Sequence, residues 1–171
     1  LAEVYKTADP DEVAQVTYLM QGRLVPKFVD LEFGVADRLL VETLAQAFDR
    51  EHKEVSEVFR EIGDLGSAAE RLTKHGGTGL TVGEVFERWR EVARAEGAGS
   101  QERKVQGLAA LLRDLDARSN RYLPRIPIGR LRLGVGDPTV MDALSVARVG
   151  DKSERKVIER AYNLTSDLGL V

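Results

Sequence analysis

Residues 31–47 read LEFGVADRLLVETLAQA, and residues 131–147 read LRLGVGDPTVMDALSVA. At an offset of 100 residues, Leu, Gly, Val, Asp, Leu and Ala coincide at 6 of 17 positions. Each copy opens on a glycine-bearing turn and passes into a helical stripe. In the first, Leu40, Val41, Leu44, Ala47 and Phe48 recur at three- and four-residue spacing, the period of a one-faced helix. Outward from these segments the likeness continues. Gly-Arg-Leu precedes both, at Gly22–Leu24 and Gly129–Leu131, with seven extra residues in the first copy. The tails also match: residues 59–66 read FREIGDLG and residues 162–169 read YNLTSDLG. Two related helical units, about 9–73 and 100–171, are therefore expected to pack about a pseudo-two-fold axis. A solenoid needs at least three repeats, so this is a duplication and not an array.

The rest of the chain keeps the helical period. Asp9-Pro10-Asp11-Glu12 combines an N-cap acid, proline at the first helical position and a following acid, ahead of Val13, Val16, Leu19 and Met20. A helix from about Glu51 is expected to bury Val55, Val58, Phe59 and Ile62. Ser67-Ala68-Ala69-Glu70 and Thr81-Val82-Gly83-Glu84 have capping-box spacing. The second leads into Phe86, Trp89, Val92 and Ala93. Gly97-Ala98-Gly99-Ser100 breaks the chain and recaps it before Val105, Leu108, Leu111, Leu112 and Leu115. Segments 117–126, 138–148 and 153–163 complete the set. No alternating pattern and no Asn-Gly hairpin occurs. The expected fold is all-α, a single domain over 1–171 with about eight to ten helices.

Composition narrows the function classes. The 171 residues are 31% charged and 43% hydrophobic, with no cysteine and two histidines, His52 and His75. Disulfide frameworks and cysteine-based metal or nucleophile chemistry are excluded, and little is left for an imidazole zinc site or a serine–histidine triad. No metal site and no catalytic residue is assigned, and His75 reads as a surface residue. No stretch approaches the ~20 apolar residues of a membrane span. A chain that opens on Leu1 is read as a processed or excised piece of something longer.

Net charge is −3, but its distribution is uneven. Residues 1–99 carry 12 Lys+Arg against 19 Asp+Glu, and residues 100–171 carry 13 against 9. Between Ala117 and Gly136 stand Arg118, Arg121, Arg125, Arg130 and Arg132 without an acid. Fields are screened over about 8–10 Å, so a local basic patch can outweigh the total. In both copies the glycine turn sits directly before a helix, as Phe33-Gly34-Val35-Ala36-Asp37 and Leu133-Gly134-Val135-Gly136-Asp137. A helix start offers unpaired N–H groups and the positive end of the macrodipole, which suit phosphate. Arg130 and Arg132 flank the second turn, and Arg23 and Lys27 precede the first. Asp37 and Asp137 read as N-caps. Two such elements related by a two-fold match the two strands of a duplex.

The ordered set of motifs resembles the N-terminal DNA-binding domain of ATP-dependent DNA ligases, in a form similar to archaeal and bacterial members. It runs through Arg60-Glu61-Ile62-Gly63-Asp64-Leu65-Gly66, then Leu80-Thr81-Val82 with Val85-Phe86, then Gly97-Ala98-Gly99-Ser100-Gln101 with Lys104. Gly129-Arg130-Leu131-Arg132-Leu133-Gly134-Val135-Gly136-Asp137 is its strongest piece. Ala161-Tyr162-Asn163-Leu164-Thr165-Ser166-Asp167-Leu168-Gly169 closes it. The resemblance implies an all-α fold with pseudo-two-fold halves that grips nicked double-stranded DNA through the minor groove and the phosphate backbone, without reading sequence. It places contacts at Gly129, Arg130, Arg132, Gly134 and Gly136. The repeat extends them to Arg23 and Gly34, and Ser100, Gln101 and Lys104 are expected to bind a further phosphate.

In that family a lysine in a Lys-x-Asp-Gly motif takes AMP from ATP. None of the lysines here has that context. The nucleotidyltransferase and OB-fold domains are also missing from these 171 residues. The chain alone is thus expected to bind DNA without ligating it. ATP and Mg²⁺ are expected of the missing catalytic domains, which would be partners in cis, with a sliding clamp a further candidate. The resemblance implies roles in replication, repair or recombination, and a cytoplasmic, nucleoid-associated location if the source is prokaryotic. The alternative from another class is a helical protein-interaction module that docks a partner through its acidic half and binds no DNA.

Overall fold

The computed structural model describes all residues except Glu32 and Arg132. Among the described residues there are ten α-helices, one short 3-10 helix and no strand, as the periodicity predicts. In chain order they are α1 (Ala2–Thr7), α2 (Pro10–Met20), α3 (Asp37–Phe48), α4 (His52–Ile62), α5 (Leu65–Leu72), α6 (Val82–Ala93), α7 (Ser100–Asp114), α8 (Ala117–Tyr122), the 3-10 helix Leu123–Arg125, α9 (Asp137–Val149) and α10 (Arg155–Thr165). The sequence reading missed α1, which is too short to show a period.

The chain forms two compact units. Residues 1–30 and 132–171 make one, with α1, α2, α9 and α10. Residues 31–131 make the other, with α3 to α8 and the 3-10 helix. The units cut across the expected halves, since 9–30 and 31–73 fall in different units, as do 100–131 and 132–171. In the first unit Tyr5, Val140, Met141, Ala143, Ile158 and Leu168 form the core, and Tyr5 Oη lies 3.0 Å from Thr17 Oγ1. In the second, α3 packs along α7 and α5 along α8. Leu40, Leu44, Val55, Leu65, Trp89, Leu111 and Leu112 are fully buried there. The buried amide of Asn120 donates to Thr73 Oγ1 and to the Leu112 and Leu115 carbonyls, closing a polar gap between loop ends. On α4 only Val55 is fully buried, and Val58, Phe59 and Ile62 are half-buried.

Helix starts follow the capping chemistry with two corrections. Asp9, Thr81 and Asp116 each accept an N–H from three residues on, and Thr81 with Glu84 closes a full capping box. Ser67 is not a cap. Asp64 takes that role three residues earlier, accepting Ser67 N–H at 2.7 Å. Ser100 is not one either: Gly99, at φ +73°, stands at the N-cap, and Arg103 ties the loop by donating to the Ala98 and Glu96 carbonyls.

The Asp-Leu-Gly tail of each copy is a repeated structural joint. The preceding helices, α4 and α10, both end on a left-handed residue, Gly63 at φ +78° and Ser166 at φ +55°. Asp64 is held by the Arg125 guanidinium, and Asp167 by the Tyr18 hydroxyl at 2.8 Å. Leu65 and Leu168 are buried. Gly66 and Gly169 leave no room for a side chain: a Cβ would strike the Arg121 carbonyl oxygen at the first and the Tyr18 ring at the second.

Gly66→Ala is therefore expected to lower stability by about 1–3 kcal/mol, the cost of overpacking a fixed backbone contact. An unchanged midpoint in urea unfolding would contradict the joint. Burial works against the charge on Asp64, but hydrogen bonds from Arg125 and Ser67 outweigh it and bring its pKa down to about 2. A folded-state pKa below the ordinary carboxylate value gives stability that is present above about pH 4 and lost as pH falls through the folded pKa. Acid unfolding of Asp64→Asn should start from a less stable protein and lack this part of the pH dependence.

Candidate nucleic-acid interface

The two copies of the repeat start their helices alike. Gly34 and Gly134 lie in the left-handed region, at φ +57° and +68°. The N-caps that follow, Ala36 (φ −97°, ψ 171°) and Gly136 (φ −103°, ψ 172°), have matching extended conformations. A side chain at φ near +60° is disfavoured, which accounts for glycine at the turn in both copies. Ala36 and Gly136 have no side-chain acceptor, so neither start is capped in the usual way. The expectation that Asp37 and Asp137 are N-caps is corrected: each is the first helical residue, and each carboxylate is drawn aside. Asp37 pairs with Arg130 at 3.2 Å. Asp137 accepts from Gln21 Nε2 at 2.7 Å and from Tyr162 Oη at 2.9 Å.

The arginines are exchanged between copies. Arg130, in the Gly-Arg-Leu that precedes the second copy, stands at the start of α3 in the first. Arg23, in the Gly-Arg-Leu that precedes the first copy, acts with Lys27 at the start of α9. Burial raises the Asp137 pKa, but the Gln21 and Tyr162 hydrogen bonds and the charges of Lys27 and Arg23 bring it below the ordinary value. The sequence reading set Arg130 beside Gly134 and Arg23 beside Gly34. Chain order suggested that pairing; the folded contacts add that Arg130 pairs with Asp37 at the start of α3 and that Arg23 and Lys27 act on Asp137 at the start of α9.

The remaining site residues divide. Gly129 (φ +65°) and Gly134 are exposed, and among the described residues nothing would touch a Cβ on either. Gly136 is exposed with an ordinary φ, and a Cβ there would make only a normal contact with Pro138. Gly34 is exposed and borders a shallow recess of about 460 Å³ with Phe33, Val35, Ala36 and Pro127. Arg132 lies outside the described residues. Ser100 and Gln101 line a recess of about 690 Å³ that also holds Glu42 and Glu102, carboxylates that oppose a phosphate. Lys104 is the clearest correction. It is 8% exposed, and its ammonium donates to the Phe33 carbonyl at 2.8 Å, so it is not a surface cation at a helix start. His75 is exposed, as expected. Gln21, Asp37 and Tyr162 were missed. Their roles depend on contacts between residues 25 to 116 positions apart, for which the linear sequence carries no signal.

The chain is thus all-helical among the described residues, with two exposed glycine turns that each lead into a helix start. The profile of the family described as "DNA ligase N terminus" matches residues 1–145, and the chain belongs to that family. Relatives span it completely. It is 44% identical to a "Probable DNA ligase" of Dictyoglomus turgidum over 171 residues, all of this chain and 29% of that protein. It is 40% identical to "DNA ligase 2" of Thermofilum pendens and to the "DNA ligase" of Aeropyrum pernix, covering all of this chain and 31% of each. The chain thus spans about three-tenths of the length of the relatives it matches.

The two carboxylates should behave differently on removal. Asp37→Asn loses an exposed ion pair and is expected to change stability by less than about 1 kcal/mol. Asp137→Ala strips a half-buried acceptor from two donors and should cost about 1–3 kcal/mol. Equal losses in chemical unfolding would contradict this contrast.

Proposed function

We propose that this chain is the DNA-gripping part of a DNA ligase, binding nicked double-stranded DNA through its phosphate backbone and minor groove, whatever the sequence. The observation that carries the reading is the pair of exposed turns at Gly34 and Gly134, each running into a helix start without a side-chain cap and with a cation of the other copy beside it. At α3 unpaired amides and the Arg130 guanidinium together make a phosphate cradle, whereas at α9 Pro138 has no N–H and Thr139 N–H already donates to the Gly136 carbonyl, so that start leans on the Asp137 amide and its cations. On binding, a phosphate would compete with the Asp37 carboxylate for Arg130. Main-chain and arginine contacts to phosphate position a duplex without selecting bases, which suits a protein that must accept any break.

On this reading, adenylation and sealing belong to the rest of the ligase. ATP and Mg²⁺ serve those domains, and this chain supplies grip and position. The catalytic domains are its partners in cis. A second reading is a protein-docking module; the exposed Val157 and Leu164, one face of α10 at seven-residue spacing, favour it, on α10 and not on the acidic half to which the sequence assigned the docking. Among the described residues no helix is long and apolar enough to cross a membrane.

Fluorescence anisotropy with two nicked duplexes of unrelated sequence separates the readings. Neutralising about 4–6 phosphates gives a slope of log K against log salt near −4 to −5, equal for both duplexes. Arg23→Ala with Arg130→Ala should flatten that slope by about 2 and weaken both complexes alike. Binding absent at low salt would reject the DNA reading, and a loss confined to one sequence would reject backbone contacts.

A further inference from the structure

Lys104 stands out among the described cations because it is buried. An ammonium is strongly hydrated, and taking it from water is costly unless polar groups receive it. Among the described residues its side chain makes one hydrogen bond, to the carbonyl oxygen of Phe33. That carbonyl immediately precedes Gly34, and a Cβ on Gly34 would lie 3.3 Å from Lys104 Nζ. The ammonium therefore sits directly under the left-handed turn that launches α3. The same turn is anchored on its other side by the Phe33 ring, which meets the buried Trp89 ring edge-on at a centroid distance of 5.6 Å. Lys104 comes from α7 and Trp89 from α6, so two core helices fix one exposed turn. At Gly134, by contrast, nothing among the described residues lies within 4 Å of the Cβ position, and that turn is held through Val135 on the core of its unit.

We propose that Lys104 is a positioning residue for the first turn. It holds the Phe33 carbonyl inward, and so keeps residues 34–36 in the shape that presents the start of α3 to a DNA phosphate, without contacting DNA itself. The inference rests on the DNA-binding reading above and changes the part Lys104 plays in it. A lysine fits this task better than a neutral donor. It satisfies the carbonyl from seventy-one residues away, on a long stem that reaches the turn from α7.

The test uses Lys104→Met, which keeps the length and removes the donor, and Lys104→Gln, which keeps an N–H at shorter reach. Lys104→Met should weaken binding to a nicked duplex about tenfold, the scale of one hydrogen bond to a charged group, with the salt slope unchanged. Lys104→Gln should lose only about threefold, as a neutral donor restores part of that bond. In the free protein, hydrogen exchange at the Gly34, Val35 and Ala36 amides should quicken in Lys104→Met while the middle of α7 stays protected. A slope flattened by about 0.9 would make Lys104 a phosphate ligand and overturn the proposal. Unchanged affinity with a lowered melting temperature would reduce it to a core residue and overturn it equally. If Lys104→Met does not fold, Lys104→Gln decides by the same slope and exchange readouts. Failure of the unaltered chain to bind DNA would sink the DNA reading, whereas exchange at residues 34–36 would still report whether Lys104 holds the turn.

Discussion

A helix leaves its first amides without partners inside the helix, and this chain is organised around where it supplies those partners and where it does not. Asp9, Asp64, Thr81 and Asp116 close the starts of α2, α5, α6 and α8. At α3 and α9 the N-cap positions hold Ala36 and Gly136, which have nothing to cap with. The acids that follow are turned away, Asp37 to Arg130 and Asp137 to Gln21 and Tyr162. The starts of α1, α4, α7 and α10 also lack a side-chain cap, but those of α3 and α9 are the pair that the duplication relates, and both are entered through an exposed left-handed glycine.

Holding such ends in place takes a rigid frame, and the second repeated motif helps to provide it. The Asp-Leu-Gly joints bury a leucine, lock an aspartate and press backbone against a neighbour too closely for a Cβ. One joint uses Arg125 on Asp64 and the other Tyr18 on Asp167, so the geometry is kept while the chemistry of the clasp differs. The duplication thus carries two kinds of information. Its glycine turns face outward, and its Asp-Leu-Gly tails face inward.

Much of the fold was legible from the sequence because helix period and capping are local. The start of α2 at Pro10, the capping box at Thr81 and the glycine turn before Asp37 each follow from a few adjacent residues. Most of the errors arose where a distant residue decides, the Ser67 cap being lost instead to Asp64 only three residues away. Ser67 resembles a cap until Asp64 is seen to reach it from the Gly63 turn. Lys104 resembles a phosphate ligand until Phe33, far away in the chain, is found against it. Arg130 was read only with the turn beside it in the chain, and the fold also pairs it with Asp37, ninety-three residues away. Charge counts located the basic stretch correctly but did not show that Arg121 and Arg125 are engaged by Glu70 and Asp64, which leaves fewer arginines for a ligand than the sequence suggests.

The central claim is that the two glycine turns and the helix starts behind them take the phosphates. An amide-resolved NMR titration of the free chain with a nicked duplex tests it most directly. The account predicts that the largest shifts fall at the amides of residues 34–38, 134–137 and 139, with α4 unmoved. Shifts gathered on α4 or on the apolar face of α10, with both turns silent, would contradict it.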